Sequence, residues 1–148
     1  MMRKARLTIF VALMAAGVLA AAAFATTRTS TISLRTTAVG KVLVAANGHT
    51  LYLFTADKAK KSTCYGQCAG YWPPLFAAKP TAGAGVKASL LGTTKRKDGK
   101  LQVTYAGHPL YFFAQDKKTG QVNGQGFVHF GGSWWVVSAA GTSIKAKP

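Results

Sequence analysis

From Val39 onward, apolar and polar positions alternate in short runs bounded by Gly, Asn, Asp and Pro. That is the pattern of β-strands joined by tight turns. Lys41 to Ala45 predicts a strand. Asn47-Gly48 predicts a two-residue hairpin turn, since both residues tolerate positive φ, and Thr50 to Thr55 predicts the returning strand. Leu51 and Leu53 then fall on one face and Tyr52 and Phe54 on the other. Both faces are apolar, which places this strand between two packed layers. Further along, Leu101 to Tyr105 alternates, Ala106-Gly107-His108 turns, and Pro109 to Ala114 returns. Pro109 suits the first residue of a strand, where no ladder donor is needed. Asp98-Gly99 marks another hairpin turn, across which residues 90–96 pair to complete a meander. Ser133 to Ser138 is a last strand. One helical turn is expected after Ser62, with Ser62 as its N-cap. It ends at Trp72-Pro73-Pro74, because Pro73 disfavours helix at Trp72. Residues 26–38 are Thr/Ser-rich and read as a flexible leader, and residues 78–87 as a flexible bridge.

The two halves share more than a layout. Residues 48–57 are GHTLYLFTAD and residues 107–116 are GHPLYFFAQD, so G-H-x-L-Y-x-F-x-x-D occurs twice, 59 residues apart. A repeat this specific organises the whole chain. It predicts a single small, mainly β domain over residues 39–141, built of two hairpin/meander repeats, about 39–77 and about 90–138. Gly66-Gln67-Cys68 and Gly124-Gln125-Gly126 lie 58 apart and extend the likeness into the following loops. A basic tail, residues 142–148, follows.

The N-terminus sets the compartment. Met1 to Arg6 is basic, Leu7 to Phe24 is almost wholly apolar, and Ala23-Phe24-Ala25 is a small-residue cleavage pattern. This reads as a signal peptide over residues 1–25; an uncleaved anchor is the competing reading, since about 18–20 apolar residues can span a bilayer. In an exported chain the isolated pair Cys64 and Cys68 is expected to form a disulfide on the short helical turn. Net charge is +16 for the whole sequence. It falls to +13 when Arg3, Lys4 and Arg6 leave with the leader. Such an excess favours polyanionic partners outside the cytoplasm: anionic envelope polymers or lipid headgroups. No specific nucleic-acid partner is expected, and a membrane only peripherally if the leader is cleaved.

These residues carry a family resemblance. Tyr52 to Asp57 and Tyr111 to Asp116 both fit Y-x-(F/W/Y)-x-x-D. Around them stand Ser62, Cys64 and Cys68, then Trp72-Pro73-Pro74-Leu75, Asp98-Gly99, Tyr105 to Tyr111, and Trp135-Val136-Val137. The chain resembles a family of bacterial secreted proteins and lipoproteins with that repeated motif, over about Val39 to Gly141. The resemblance implies exported repeat domains of no settled activity. Many members look lipid-anchored through an N-terminal Cys, which this chain lacks after its cleavage pattern. His49 and His108 stand outside the family motif.

The candidate chemistry is correspondingly thin. Leu51, Tyr52, Phe54 and Asp57, with Leu110, Tyr111, Phe113 and Asp116, read as a structural motif. The aromatics pack the core. The aspartates turn the chain by accepting backbone N–H groups. If the units are pseudo-symmetric, the tyrosine hydroxyls reach Asp57 and Asp116 and lock strand to turn. His49 and His108, at equivalent repeat positions, are candidate copper or zinc ligands together with Cys64 and Cys68; His129 is the third histidine. No zinc-type ligand spacing, haem attachment motif, dinucleotide loop or nucleophile elbow occurs. The expectation is a non-enzymatic module without a cofactor, and the alternative is an extracytoplasmic copper, zinc or redox protein.

Overall fold

The computed structural model describes residues 29–148. The expected signal peptide lies outside the described residues. The strands are β1 (Thr29–Thr37), β2 (Gly40–Val44), β3 (Tyr52–Phe54), β4 (Lys79–Ala82), β5 (Leu91–Lys95), β6 (Leu101–Tyr105), β7 (His108–Pro109), β8 (Val128–His129) and β9 (Gly132–Val136). The short helix α1 is Gln67–Tyr71 and a single 3₁₀ turn is Ala88–Leu90. The protein is therefore mainly β, a small domain of two repeats. Three three-stranded sheets run in the orders β2-β1-β4, β3-β9-β8 and β5-β6-β7.

Backbone pairing shows how the repeats correspond. β1 pairs antiparallel with β2 as β5 does with β6. Leu51 N–H donates to Leu43 C=O (3.0 Å) as Leu110 N–H donates to Val103 C=O (2.9 Å). β3 pairs with β9, Phe54 opposite Trp134, while Tyr111 bridges Pro74. The two units meet where Tyr52 and Tyr111 exchange both backbone hydrogen bonds, at 2.8 and 3.0 Å. A pseudo-twofold axis runs between those two residues.

β3 and the residue before it are sandwiched between two clusters. Leu51, Leu53, Leu75, Val103, Leu110 and Val137 pack on one side in a mostly aliphatic cluster. Tyr52, Phe54, Trp72, Tyr111, Phe113 and Trp134 pack on the other in an aromatic one. Fully burying each large apolar side chain is worth about 1.5–3 kcal/mol, so together these two layers dominate the stability.

Four expectations fail. Residues 29–37 of the presumed leader form β1, the longest strand, central in its sheet. Its threonines turn outward while Ile32 is fully buried, a half-buried pattern that composition alone conceals. Within the presumed bridge, Lys79–Ala82 is β4, which pairs parallel with β1. The helix begins one residue after Gly66 rather than after Ser62, whose hydroxyl is committed to other contacts. Finally, the Asn47-Gly48 hairpin has a three-residue loop. Gly48 N–H bonds Ala45 C=O (2.8 Å), Ala45 N–H bonds His49 C=O (3.0 Å), and Gly48 takes φ 78°. Gly closing a type I turn in the left-handed region gives that arrangement. Lys97-Asp98-Gly99 repeats it between Arg96 and Lys100.

Candidate functional site

The motif residues converge at the pseudo-twofold axis, and they do so by exchange. Tyr52 donates its hydroxyl to Asp116 Oδ2 at 2.7 Å, and Tyr111 donates to Asp57 Oδ2 at 2.7 Å. Each tyrosine thus reaches the carboxylate of the other repeat. The strand orients it: period two sends Tyr52 to the same side as Phe54, toward the partner unit's turn. Each carboxylate also holds its own loop. Asp57 Oδ1 accepts from Thr63 N–H (2.7 Å) and hydroxyl (3.0 Å), and Asp116 Oδ1 accepts from Asn123 N–H (2.9 Å). Thr63 and Asn123 are 60 residues apart, so carboxylate bonding, not the Gly-Gln likeness 58 apart, marks the equivalent loop positions.

The rings exchange in the same way. Phe54 stacks on Trp134 (4.0 Å), Trp134 on Trp72 (4.0 Å) and Trp72 on Phe113 (4.4 Å). The result is one four-ring stack with the two tryptophans at its centre. Tyr52 meets Trp72 edge-on at 5.4 Å, and Tyr111 meets Trp134 edge-on at 5.1 Å. Offset-stacked and edge-to-face pairs are the favourable aromatic geometries. Gly124 lies under the stack; a Cβ there would come within 2.7 Å of Trp72 and 3.0 Å of Phe113.

Burial controls the electrostatics. It raises both Asp57 and Asp116 above the ordinary carboxylate range, against the hydrogen bonds from Thr63, Tyr111, Asn123 and Tyr52, which favour the ionised form. Tyr52 and Tyr111 rise above the ordinary phenol value, chiefly through burial and then through the adjoining carboxylate. The hydroxyl protons are held in place.

The Asp57 loop of repeat 1 is braced by a polar group from repeat 2 that nothing in the sequence marks. Arg96 is only 5% exposed. Its guanidinium donates to Ser62 Oγ (2.8 Å), Gln102 Oε1 (2.8 Å) and Cys64 C=O (2.6 Å). Tyr65 covers its face at 4.1 Å. Ser62 in turn contacts the Tyr111 hydroxyl (2.7 Å), so Arg96 braces the Tyr111–Asp57 pair through a neighbour. Cys64 and Cys68 are joined in a disulfide, with Cys68 on α1.

The histidines go separate ways. His49 is half-buried beside the Asn47-Gly48 turn, and His108 lines a cavity of about 370 Å³ with Asp57, Thr55 and Ser143. His108 of repeat 2 thus shares a cavity with Asp57 of repeat 1, while His129 is exposed on β8. Among the described residues no group of three or more His, Cys, Asp or Glu could hold a metal ion.

Residues 33–76 and 92–138 each match a family described as a secreted repeat of unknown function. The chain belongs to that family. The first match begins at Ser33, inside β1, so the strand hidden in the presumed leader is part of the repeat. The reciprocal Tyr–Asp pairs and the ring stack join the two matched repeats to each other. No curated protein and no solved structure shows significant similarity to the chain.

Proposed function

We propose that this secreted repeat protein is a non-catalytic module of the cell envelope, held by its basic exterior against anionic envelope polymers or lipid headgroups. One observation carries the reading. Of three acidic residues, Asp57 and Asp116 are turned inward to the exchanged tyrosines, leaving Asp98 as the exposed one. All thirteen described lysines are exposed. The fold buries one of the three carboxylates and partly covers a second, so the surface field is dominated by the exposed lysines and draws polyanions from a distance. The only ion pair among the described residues, Lys100 with Asp98, is long at 4.0 Å and exposed.

The polar groups of the core support the non-catalytic part. The carboxylates and hydroxyls at the axis already have partners and tie loops to strands. Copper or zinc binding has weaker support, since the disulfide consumes both thiolates and no three of the remaining candidate ligands gather among the described residues, short of a three- or four-ligand set.

The test is a salt titration of binding to anionic vesicles and to a soluble polyanion such as polyphosphate. Affinity should fall steeply as the Debye length shrinks from about 10 Å at 0.1 M toward 3 Å at 1 M. Binding indifferent to salt would overturn the electrostatic reading.

A further inference from the structure

The exposed large hydrophobic side chains among the described residues are Tyr71, Phe127 and Val128, and they lie at one corner. Tyr71 ends α1, and its ring meets His129 at 5.6 Å and Phe130 at 6.0 Å. Phe127 rests on Trp72 and Phe113 at the end of the ring stack, and Val128 begins β8 at 77% exposure. β8 is an edge strand of its sheet.

Cations rim the corner. Lys117 donates to Ala114 C=O (2.6 Å), whose N–H donates to Tyr71 C=O (2.9 Å); Lys117 and Tyr71 line one shallow depression of about 380 Å³. Lys118 follows, exposed. On the other flank Lys145 lies over Trp135, whose ring abuts Gly126. An apolar tip in a basic rim is complementary to a bilayer whose headgroups are anionic and whose interior is apolar. Tyrosine is at home at that interface. A second copy of the chain is a poor occupant, because two strongly cationic surfaces repel. A soluble polyanion would leave Val128 and Phe127 unused.

We propose that this corner inserts into the interface of an anionic membrane: Val128, Phe127 and Tyr71 enter the headgroup boundary while Lys117 and Lys118 contact lipid phosphates. The inference rests on the electrostatic reading above and deepens it by choosing the lipid as the partner.

The test compares wild type, Val128→Ser and the Lys117→Gln/Lys118→Gln double variant. Each is offered vesicles of phosphatidylcholine with phosphatidylglycerol, and separately soluble polyphosphate. Val128→Ser should bind vesicles about tenfold more weakly, the effect of withholding one valine side chain from the apolar layer, and polyphosphate as wild type does. The lysine double variant should weaken on both. Val128→Trp should bind vesicles at least as well as wild type and gain fluorescence that brominated acyl chains quench. Wild-type affinity of Val128→Ser for vesicles, or no quenching in Val128→Trp, would overturn insertion. Wild type that binds polyphosphate but not vesicles would end the membrane inference and leave the electrostatic reading standing. Binding to neither would end both.

Discussion

The two carboxylates do the same job in different surroundings. Asp57 sits in a half-exposed loop strengthened by a disulfide, by Ser62 and by the buried guanidinium of Arg96. Asp116 is only 5% exposed, and its loop has no disulfide. There Gln121 Oε1 accepts from Lys117 N–H (2.6 Å) and Lys118 N–H (2.8 Å), and Gly124 fits beneath Trp72. The shared part is the exchange of tyrosines and rings across the axis. The difference teaches that the motif specifies the junction between repeats, while each loop is stiffened by whatever chemistry its sequence supplies.

The largest expected effect tests the symmetry of the stack. Trp72→Ala and Trp134→Ala each remove a fully buried ring from its centre and should each cost about 3–5 kcal/mol in denaturant unfolding. Losses differing more than twofold between them would break the equivalence of the repeats.

Tyr→Phe substitutions sharpen the comparison. Tyr52→Phe strips a donor from the more deeply buried carboxylate and should cost about 1–3 kcal/mol. Tyr111→Phe should cost less, because Asp57 is partly open to water. The reverse order would show that Arg96 and Ser62 make the first junction the stronger one.

Serine at both Cys64 and Cys68 should lower stability by about 2 kcal/mol, the effect of closing so short a loop. The loss should leave the Asp116 junction intact, as the Tyr52 resonance in NMR would report.

The pH response follows from the raised pKa values. Each tyrosine titrates near 10.0 when unfolded and higher when folded. Its contribution is therefore complete below pH 10 and is lost as pH rises through the folded value. With both tyrosines engaged, stability should fall by about 2.7 kcal/mol per pH unit above pH 10, and by half that in either Phe variant. The aspartates shift upward too, so their contribution is complete below their unfolded value of 3.8 and is lost as pH rises through the folded values. Acidification from neutrality should not weaken the two junctions. Acid unfolding that Asp116→Asn abolishes would contradict this.

The smallest effect concerns the histidines. His49→Ala with His108→Ala should leave thermal stability within about 0.5 kcal/mol of wild type, as for surface changes generally, and metal content after purification at background. Metal above background that the double variant loses would restore the copper or zinc alternative.

Much of this was legible from local pattern. The strand with two apolar faces, the meander across Asp98-Gly99 and the helical turn carrying Cys68 follow from period, turn residues and cysteine spacing. β1 was legible in principle as well. Residues 90–96 read as a strand, and Ser33 to Thr37 occupies the same place in repeat 1, but its threonines resemble a leader when read alone. Arg96 was not legible. A buried arginine looks like its exposed lysine neighbours until Ser62, Gln102 and Cys64 C=O, up to 34 residues away, gather around it.

By itself the sequence determined a twofold strand–turn unit, the presence of one such tyrosine and one such aspartate in each copy, and the basic balance of the chain. Those are properties of short segments, set by side-chain period and turn chemistry. Only the tertiary structure decided that each tyrosine bonds the aspartate of the other copy, that four rings form one stack, and that one of three acids is buried and a second partly covered. A hydroxyl at a given strand position points to one face whichever carboxylate awaits it. The docking of the two units about their axis brings together residues 54 and 64 apart.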